Sequence, residues 1–360
     1  MPSMRVSERS ALRAIAAGAV ALLLSVTGAD RVAGQAPAFT ASGGASVIIP
    51  AETWSCGLPG GIPQPESGTL VFEARVPLGR VADVGQTPFG RRQVAITGEG
   101  TLTGARVTGS VMTGALDYQL ILANGVIEIE QIFVFRTSDG RYIYARGAGT
   151  GPDASDVRIV MDFEAPNDSA VAWLNSGTYV ARRVVDAGAK AMTVRVYDVS
   201  KAPPAAAGAR TIRITKPTGV PPQPWDYRRA DAGEKRGAEL IVESVTLAPS
   251  QSVGASKRGG RNIIPITGGV LKGRLNGTVV PGGADYQNLA NPATIDARYL
   301  WEVDGEIIVV RNGGAFGSLV PTFEVRVDSK YAWLNTGRYL SSNPGMAAGG
   351  VALTFYESTK

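Results

Sequence analysis

The chain has 360 residues, with 36 Lys and Arg, 31 Asp and Glu, one Cys and no His. The lack of histidine excludes His-based catalytic triads and the usual zinc sites, and a single cysteine excludes an internal disulfide. The formal net charge is +5, and residues 1–34 carry +2 of it, from four Arg and two acids. The remaining +3 is small and scattered along the chain, which argues against nucleic acid or an anionic membrane as a partner.

A secretory signal peptide is predicted for residues 1–34. Arg5, Arg9 and Arg13 precede the apolar run 14–26, and small residues follow up to Gly34. The apolar run is shorter than the roughly 20 residues that a membrane-spanning helix needs, which favours a cleaved signal over an anchor. No later segment is apolar enough to span a membrane. We therefore expect a periplasmic or secreted protein.

The rest of the sequence contains two copies of one unit. Chance supplies one matching pair of segments, but not a series in the same order. The pairs include Leu70–Glu73 with Leu240–Glu243, Asp117–Gln119 with Asp285–Gln287, Phe163–Glu164 with Phe323–Glu324, and Ala172–Asn175 with Ala332–Asn335. The predicted organisation is a first β-barrel repeat over residues 35–204, a Pro-rich linker over 205–236 and a second β-barrel repeat over 237–360. Residues 211–215 of the linker are compatible with an edge strand of either repeat.

Turn signals within each copy predict antiparallel strands. Asp139-Gly140 and Asp304-Gly305 each separate two β-rich runs, which is a strong hairpin signal because Gly tolerates positive φ. The many Gly, Val, Ile and Thr residues suit short strands joined by turns. We expect an all-β protein with two tandem antiparallel barrels, and a sandwich is the second choice.

The second copy resembles a known family in the run Gly268–Gln287, in Ile295–Tyr299 and in Tyr331–Asn335. These motifs are similar to those of the family catalogued as domain of unknown function 3237, and the resemblance covers nearly all of both copies. It implies a calycin-like β-barrel and little about activity. Family members usually carry one such domain, so the tandem form is a departure and predicts an intramolecular pseudo-dimer.

Candidate site residues lie mainly in the second copy. Asp285 either contacts a ligand or caps its turn. Arg298 shares a strand face with Asp296, and either stabilises an oxyanion in a cavity or forms an ion pair on the outer face. The first copy has Ile132-Phe133 where the second has Arg298-Tyr299. The predicted catalytic residues are Asp285, Arg298 and Tyr299, and the predicted ligand-binding residues are Tyr286, Gln287, Asp296, Trp301, Arg311, Trp333 and Asn335.

A purely structural role is favoured for several of these residues. Trp333 and Asn335 are typical of core packing and turn satisfaction, and Arg311 matches Arg146 of the first copy, which favours a shared structural pair. Tyr299 and Trp301 lie on the strand face opposite Arg298, so both sets cannot line one cavity. The sequence leaves open which face points inward.

The favoured function is an exported small-molecule-binding barrel without cofactor or metal. Its catalytic form is a cofactor-independent lyase, isomerase or cyclase acting on a hydrophobic oxygenated substrate in the second repeat. The alternative is a non-catalytic structural or interaction module of the cell envelope. The ligand hypothesis requires an enclosed cavity into which both Asp285 and Arg298 point.

Overall fold

The computed structural model describes residues 46–51, 58, 60–202 and 208–359. The predicted signal peptide and Cys56 lie outside these residues. The described part begins with strand β1 (Ser46–Ile49), strand β2 (Ile62–Pro63) and a 3₁₀ turn, Pro65–Ser67. None of the helices in the described residues is long and apolar enough to cross a bilayer.

The first repeat forms a closed antiparallel barrel. A ladder runs from β12 through β11, β10, β9 and β8 to β3, and pairing of β12 with β3 closes it. The 3₁₀ helix Ala172–Asn175 lies between β10 and β11. The strands are β3 (Thr69–Thr87), β4 (Gly90–Thr97), β5 (Gly100–Thr103), β6 (Thr108–Val111), β7 (Leu116–Ile121), β8 (Ile127–Thr137), β9 (Tyr142–Gly151), β10 (Arg158–Glu164), β11 (Tyr179–Asp186) and β12 (Ala191–Asp198).

The linker contributes one strand, β13 (Arg210–Arg213), which pairs in parallel with β1. This places the predicted edge strand in a small sheet with β1 and β2 rather than in either barrel. Ile48, Ile62 and Ile214 of this segment pack against apolar side chains of the first repeat, including Leu120 and Val160. The residue bounds predicted for the repeats and the linker stay a prediction.

The second repeat forms a barrel of the same order, running β20, β19, β18, β17, β16, β14, β23 and β21. Its two end strands meet where the Ser341 N–H donates to the Leu319 carbonyl at 3.0 Å. The 3₁₀ helix Ala332–Asn335 precedes β21. The strands are β14 (Lys235–Leu247), β15 (Gln251–Ser256), β16 (Gly259–Gly273), β17 (Gly277–Asn288), β18 (Thr294–Val303), β19 (Glu306–Ala315), β20 (Val320–Glu324), β21 (Tyr339–Ser341), β22 (Gly345–Ala347) and β23 (Gly350–Thr359). The predicted fold class, two tandem antiparallel β-barrels, is confirmed.

Strand register confirms most of the residue correspondence between the copies. Asp117 lies opposite Gln131 and Asp285 lies opposite Ala297, so Arg298 occupies the position of Ile132. The Asp304-Gly305 turn has φ values of 50° and 78°, the positive pair that a two-residue hairpin turn requires.

One predicted pair of segments is out of register. Ala74 lies opposite Leu102, and Glu243 lies opposite the equivalent Leu271, so Glu243 corresponds to Ala74 and not to Glu73. Since side chains alternate along a strand, this shift of one residue moves the acid from the outer to the inner face. The matching of Leu70–Glu73 with Leu240–Glu243 was therefore wrong by one position.

Each barrel has its own apolar core. Phe72, Phe135 and Phe163 pack edge to face in the first barrel, and Trp301, Phe323 and Phe355 pack together in the second. Two further buried clusters combine residues of both repeats, one around Tyr118 and Leu300 and the other around Ile132 and Tyr286. The strands at this contact are therefore buried on both faces.

Candidate functional site

Strands β17 and β18 divide the predicted site residues between two faces. Asp285 pairs with Ala297, whose side chain belongs to the interior of the second barrel, as do those of Tyr299 and Trp301. Tyr286 belongs to the cluster between the barrels, and Arg298 alternates with Ala297 and Tyr299 and therefore lies on the outer face. Asp285 and Arg298 therefore lie on opposite strand faces, and the prediction that both point into one cavity is wrong.

Arg298 belongs to an ion network between the two barrels. It is 3% exposed, donates to Asp296 at 3.0 and 3.1 Å and pairs with Glu130 of the first repeat at 2.7 Å. Arg311 donates to Asp296 at 2.8 Å, and Arg146 pairs with Glu130 at 2.8 Å. Arg146 and Arg311 thus act as the matched structural pair that the sequence predicts.

The network sets the ionisation of its acids. Burial opposes ionisation of Glu130, but the charges of Arg298 and Arg146 outweigh it and lower its pKa to about 2. The same balance, with Arg298 and Arg311 as the cations, holds the pKa of Asp296 well below its usual range. These groups are charged and paired, so they fix the barrel contact rather than exchange protons.

Equivalent residues of the two repeats form equivalent contacts, each reaching from one repeat to the other. Arg92 of the first repeat donates to Glu324 of the second at 2.9 Å, and Arg261 of the second donates to Glu164 of the first at 3.1 Å. A hydroxyl supports each acid, since Thr87 donates to Glu324 and Ser256 donates to Glu164. The contact is built from the same surface of each repeat.

The remaining predicted ligand-binding residues have structural partners. The Tyr286 hydroxyl donates to the Gly114 carbonyl across the barrel contact. The Asn335 side chain accepts the Val325 N–H at 2.8 Å and donates to the Val325 carbonyl at 2.9 Å. The Gln287 side chain accepts a hydrogen bond from the Asn262 side chain at 2.9 Å. Trp333 lies under the guanidinium of Arg274, 4.0 Å from the ring centroid, at one end of the second barrel.

The interior of the second barrel contains a carboxylate that the sequence analysis did not select. Glu243 is fully buried, and it accepts hydrogen bonds from the Tyr299 hydroxyl at 2.7 Å and from Trp301 Nε1–H at 2.6 Å. Its signal in the sequence was the alternation of Ile241, Glu243 and Val245, which places an acid on an otherwise apolar face.

Asp285 is the second carboxylate of this interior. It is 9% exposed, and no described residue donates a hydrogen bond to it. Burial alone raises its pKa to about 7. Burial also raises the pKa of Glu243 to about 7, with the neighbouring charge of Asp285 adding to the rise and the bonds from Tyr299 and Trp301 opposing it. We call Glu243 and Asp285 the carboxylate pair.

The first barrel treats its equivalent carboxylate differently. Asp117 is fully buried and bonded to Nε and Nη2 of Arg183, both at 2.9 Å, and to the amide of Gln131. The second barrel has Ala297 at the position of Gln131, and Asn343, two residues beyond the end of β21, follows Ser341 as Arg183 follows Ala181. The first carboxylate is therefore paired within the chain, whereas no residue in the described part of the chain donates to the second.

Exposed apolar side chains surround the end of the second barrel to which Asp285 is nearest. The loops after β17 and β19 meet there, where the Phe316 N–H donates to Ala293 and the Gly317 N–H donates to Asn343. Leu289, Phe316 and Met346 in or beside these loops are 54%, 44% and 93% exposed. We call this end the mouth. The described residues contain no group of three or more acids or cysteines placed to hold a metal ion.

A family model and curated proteins match the sequence. The family model described as "Protein of unknown function (DUF3237)" matches residues 67–201 and 240–318. A UPF0311 protein of Bradyrhizobium diazoefficiens is 35% identical over 79 residues, which cover 22% of this chain and 51% of that protein. A UPF0311 protein of Rhodopseudomonas palustris strain TIE-1 is 32% identical over 79 residues, 22% of this chain and 52% of its own length. The chain spans about half the length of the curated relatives it matches.

Solved structures cover one repeat's length of this chain. A β-barrel-like protein of Acinetobacter baumannii has 21% identity and a TM-score of 0.33, over 36% of this chain and 94% of its own. A conserved protein of unknown function from Rhodopseudomonas palustris has 25% identity and a TM-score of 0.32, over 36% and 95%. An enzyme from Penicillium herquei has 17% identity and a TM-score of 0.29, over 35% and 91%.

Proposed function

Because the chain belongs to the DUF3237 family, whose description assigns no activity, we propose a function from the geometry of the second barrel. Its interior is a small-molecule-binding site in which the carboxylate pair, Glu243 and Asp285, transfers protons to and from the ligand. In the first barrel the equivalent carboxylate, Asp117, is already bonded to Arg183.

The observation that carries the proposal is that no described residue donates a hydrogen bond to the buried carboxylate of Asp285. Buried polar groups are almost always hydrogen-bonded, because leaving one without a partner costs about 1–3 kcal/mol or more when it is charged. The first repeat meets this requirement with Arg183. In the second repeat no described residue meets it for Asp285, and a hydrogen-bond donor on a bound molecule would.

The carboxylate pair suits acid–base chemistry at neutral pH. Both carboxyls have pKa values of about 7, so near pH 7 the pair holds a proton that it can give up or accept. Tyr299 and Trp301 fix the orientation of Glu243, and Asp285 lies nearer the mouth. Asp285 would be the group that exchanges a proton with the ligand, and Glu243 would adjust its charge.

The catalytic form of the proposal is a cofactor-independent lyase, isomerase or cyclase acting on a hydrophobic oxygenated substrate. Proton abstraction by Asp285 followed by protonation at a second atom would produce an isomerisation, and loss of a leaving group would produce an elimination. Arg298, the predicted oxyanion stabiliser, has no part in it because its side chain lies between the barrels.

The proposal for the whole chain adds export and internal pairing. Residues 1–34 would direct the protein to the periplasm or the cell exterior. The two repeats would act as an intramolecular pseudo-dimer, which is supported by the reciprocal contacts of Arg92 with Glu324 and Arg261 with Glu164. The asymmetry between Asp117 and Asp285 would then restrict ligand binding to one half.

Two measurements test the proposed function. The first is ¹³C NMR titration of the carboxyls, in which two resonances are expected to titrate near pH 7 and one of them to vanish in Asp285→Asn. The second is turnover of a nitrobenzisoxazole, a general probe of proton abstraction, which should rise with pH through about 7. Asp328→Asn, the same chemical change at a side chain that is 66% exposed, is the matched control. Equal turnover by wild type and Asp285→Asn, with no carboxyl titrating above pH 6, would favour the non-catalytic envelope module.

A further inference from the structure

We propose that the second barrel binds a ligand group with two coplanar N–H donors, an amidinium or guanidinium, against Asp285. The inference rests on the ligand-binding part of the proposed function and names the chemistry of the ligand. It is drawn from the first barrel, where the chain itself supplies such a group.

The first barrel shows which partner this strand arrangement accepts. Arg183 projects from β11 into the interior and meets Asp117 with two parallel N–H donors, each 2.9 Å from a carboxylate oxygen. The side chains are 8% and 0% exposed, so the pair is removed from water. A planar fork of donors matches the two oxygens of a carboxylate, which gives the contact direction as well as strength.

The second barrel retains the carboxylate and lacks the groups that fill the space before it. Asn343 follows Ser341 as Arg183 follows Ala181, and its side chain instead accepts the Gly317 N–H at 2.6 Å in the rim. Ala297 replaces Gln131, and Val351 replaces Met192, whose sulfur contacts Gln131 in the first barrel. Each of these three replacements is shorter than its counterpart, and none of them donates to Asp285 as Arg183 and Gln131 donate to Asp117.

The charge of the site favours a donor over an anion. The arginines on the strands around Asp285 face outward, where Arg261 pairs with Glu164 and Arg298 and Arg311 pair with Asp296. An anionic ligand would therefore meet the carboxylate pair without a compensating cation, and like charges at short range in a buried site repel strongly. A cationic or neutral ligand that donates hydrogen bonds would meet only acceptors at the carboxylate pair.

The mouth specifies the rest of the ligand. Leu289, Phe316 and Met346 offer exposed apolar surface at this end of the barrel, so an aromatic or aliphatic body would follow the donor group. Benzamidine joins an amidinium to such a body. Benzamide and benzoate have nearly the same shape. Benzamide is uncharged and has one donor nitrogen instead of two, and benzoate has no donor and a negative charge.

The experiment is calorimetric titration of the full chain with these three probes. We expect benzamidine to bind at least tenfold more tightly than benzamide and benzoate to show no binding. Asp285→Asn should weaken benzamidine at least tenfold, and Asp328→Asn should leave it unchanged. Benzamidine affinity should also rise between pH 5.5 and pH 8, because the cation needs an ionised Asp285.

A second variant separates binding beside Asp285 in the barrel interior from binding at the surface. Ala297→Gln restores the side chain that the first barrel has at this position, so it should fold and abolish benzamidine binding. Benzoate binding as tightly as benzamidine, or benzamidine affinity unaffected by both Asp285→Asn and Ala297→Gln, would overturn the inference. If benzamidine fails to bind while the nitrobenzisoxazole turnover still depends on Asp285, the ligand class is wrong and the proposed function stands. If benzamidine fails to bind and the turnover does not depend on Asp285, both the ligand class and the proposed function are wrong.

Discussion

Replacing Asp285 by Asn is expected to make the second barrel more stable than the wild type at pH 8, although the side chain is buried. Burial raises the pKa of this carboxyl from 3.8 to about 7. A group whose pKa is higher in the folded state is fully favourable to folding below its unfolded pKa, and that contribution is lost as the pH rises through the folded pKa. A neutral amide keeps its contribution at every pH.

The magnitude follows from the size of the rise. Each tenfold change in an ionisation constant corresponds to about 1.4 kcal/mol, so a rise from 3.8 to about 7 corresponds to roughly 4 kcal/mol. Glu243, raised from 4.5 to about 7, corresponds to roughly 3 kcal/mol by the same conversion. Glu130 and Asp296, whose pKa values are lowered, contribute above their unfolded pKa and lose that contribution only in acid, so they do not change between pH 5.5 and pH 8.

The assay is urea unfolding of wild type, Asp285→Asn and Asp328→Asn at pH 5.5 and pH 8, followed by tryptophan fluorescence. The wild type and Asp328→Asn should lose several kcal/mol of unfolding free energy over this range, and Asp285→Asn should lose markedly less. An Asp285→Asn variant that is less stable than wild type at pH 8, or that has the same pH dependence, would show that the carboxyl is satisfied in the free protein and would refute the reasoning.

Three further substitutions probe the asymmetry between the repeats. Arg183→Ala leaves Asp117 buried without its cation and should destabilise the first barrel by about 3–5 kcal/mol in urea unfolding. Arg298→Ala should also lower stability, because it removes one of the two cations that pair with each of Glu130 and Asp296 at the barrel contact, while turnover per folded molecule stays at the wild-type level. Tyr299→Phe introduces the residue type that the first barrel has at this position, Phe133. Loss of the Tyr299 O–H, which donates to Glu243, should raise the pKa of Glu243 further in a carboxyl NMR titration. A lowered or unchanged pKa would contradict that assignment.

The sequence alone determined the repeat, the hairpins and the division of faces. Asp-Gly dipeptides predicted the turns because few residues accept positive φ, and alternation placed Tyr299 and Trp301 on the face opposite Arg298. It also identified Arg146 and Arg311 as matched positions, which β8–β9 and β18–β19 register confirms. These features depend on neighbours in the chain, so local spacing suffices to predict them.

Only the tertiary structure decided which face was the interior. A strand with one wet and one dry face reveals its orientation by polarity, but β18 is buried on both sides, by its own core and by the other repeat. The partners that settle each role come from distant segments: Glu130 for Arg298, Arg183 for Asp117, and Tyr299 for Glu243. The acid beside Asp285, Glu243, corresponds to Ala74 of the first repeat, one position away from Glu73 and therefore on the opposite strand face. Spacing along the chain carries no information about such contacts, because they form only when the barrels close and pack together.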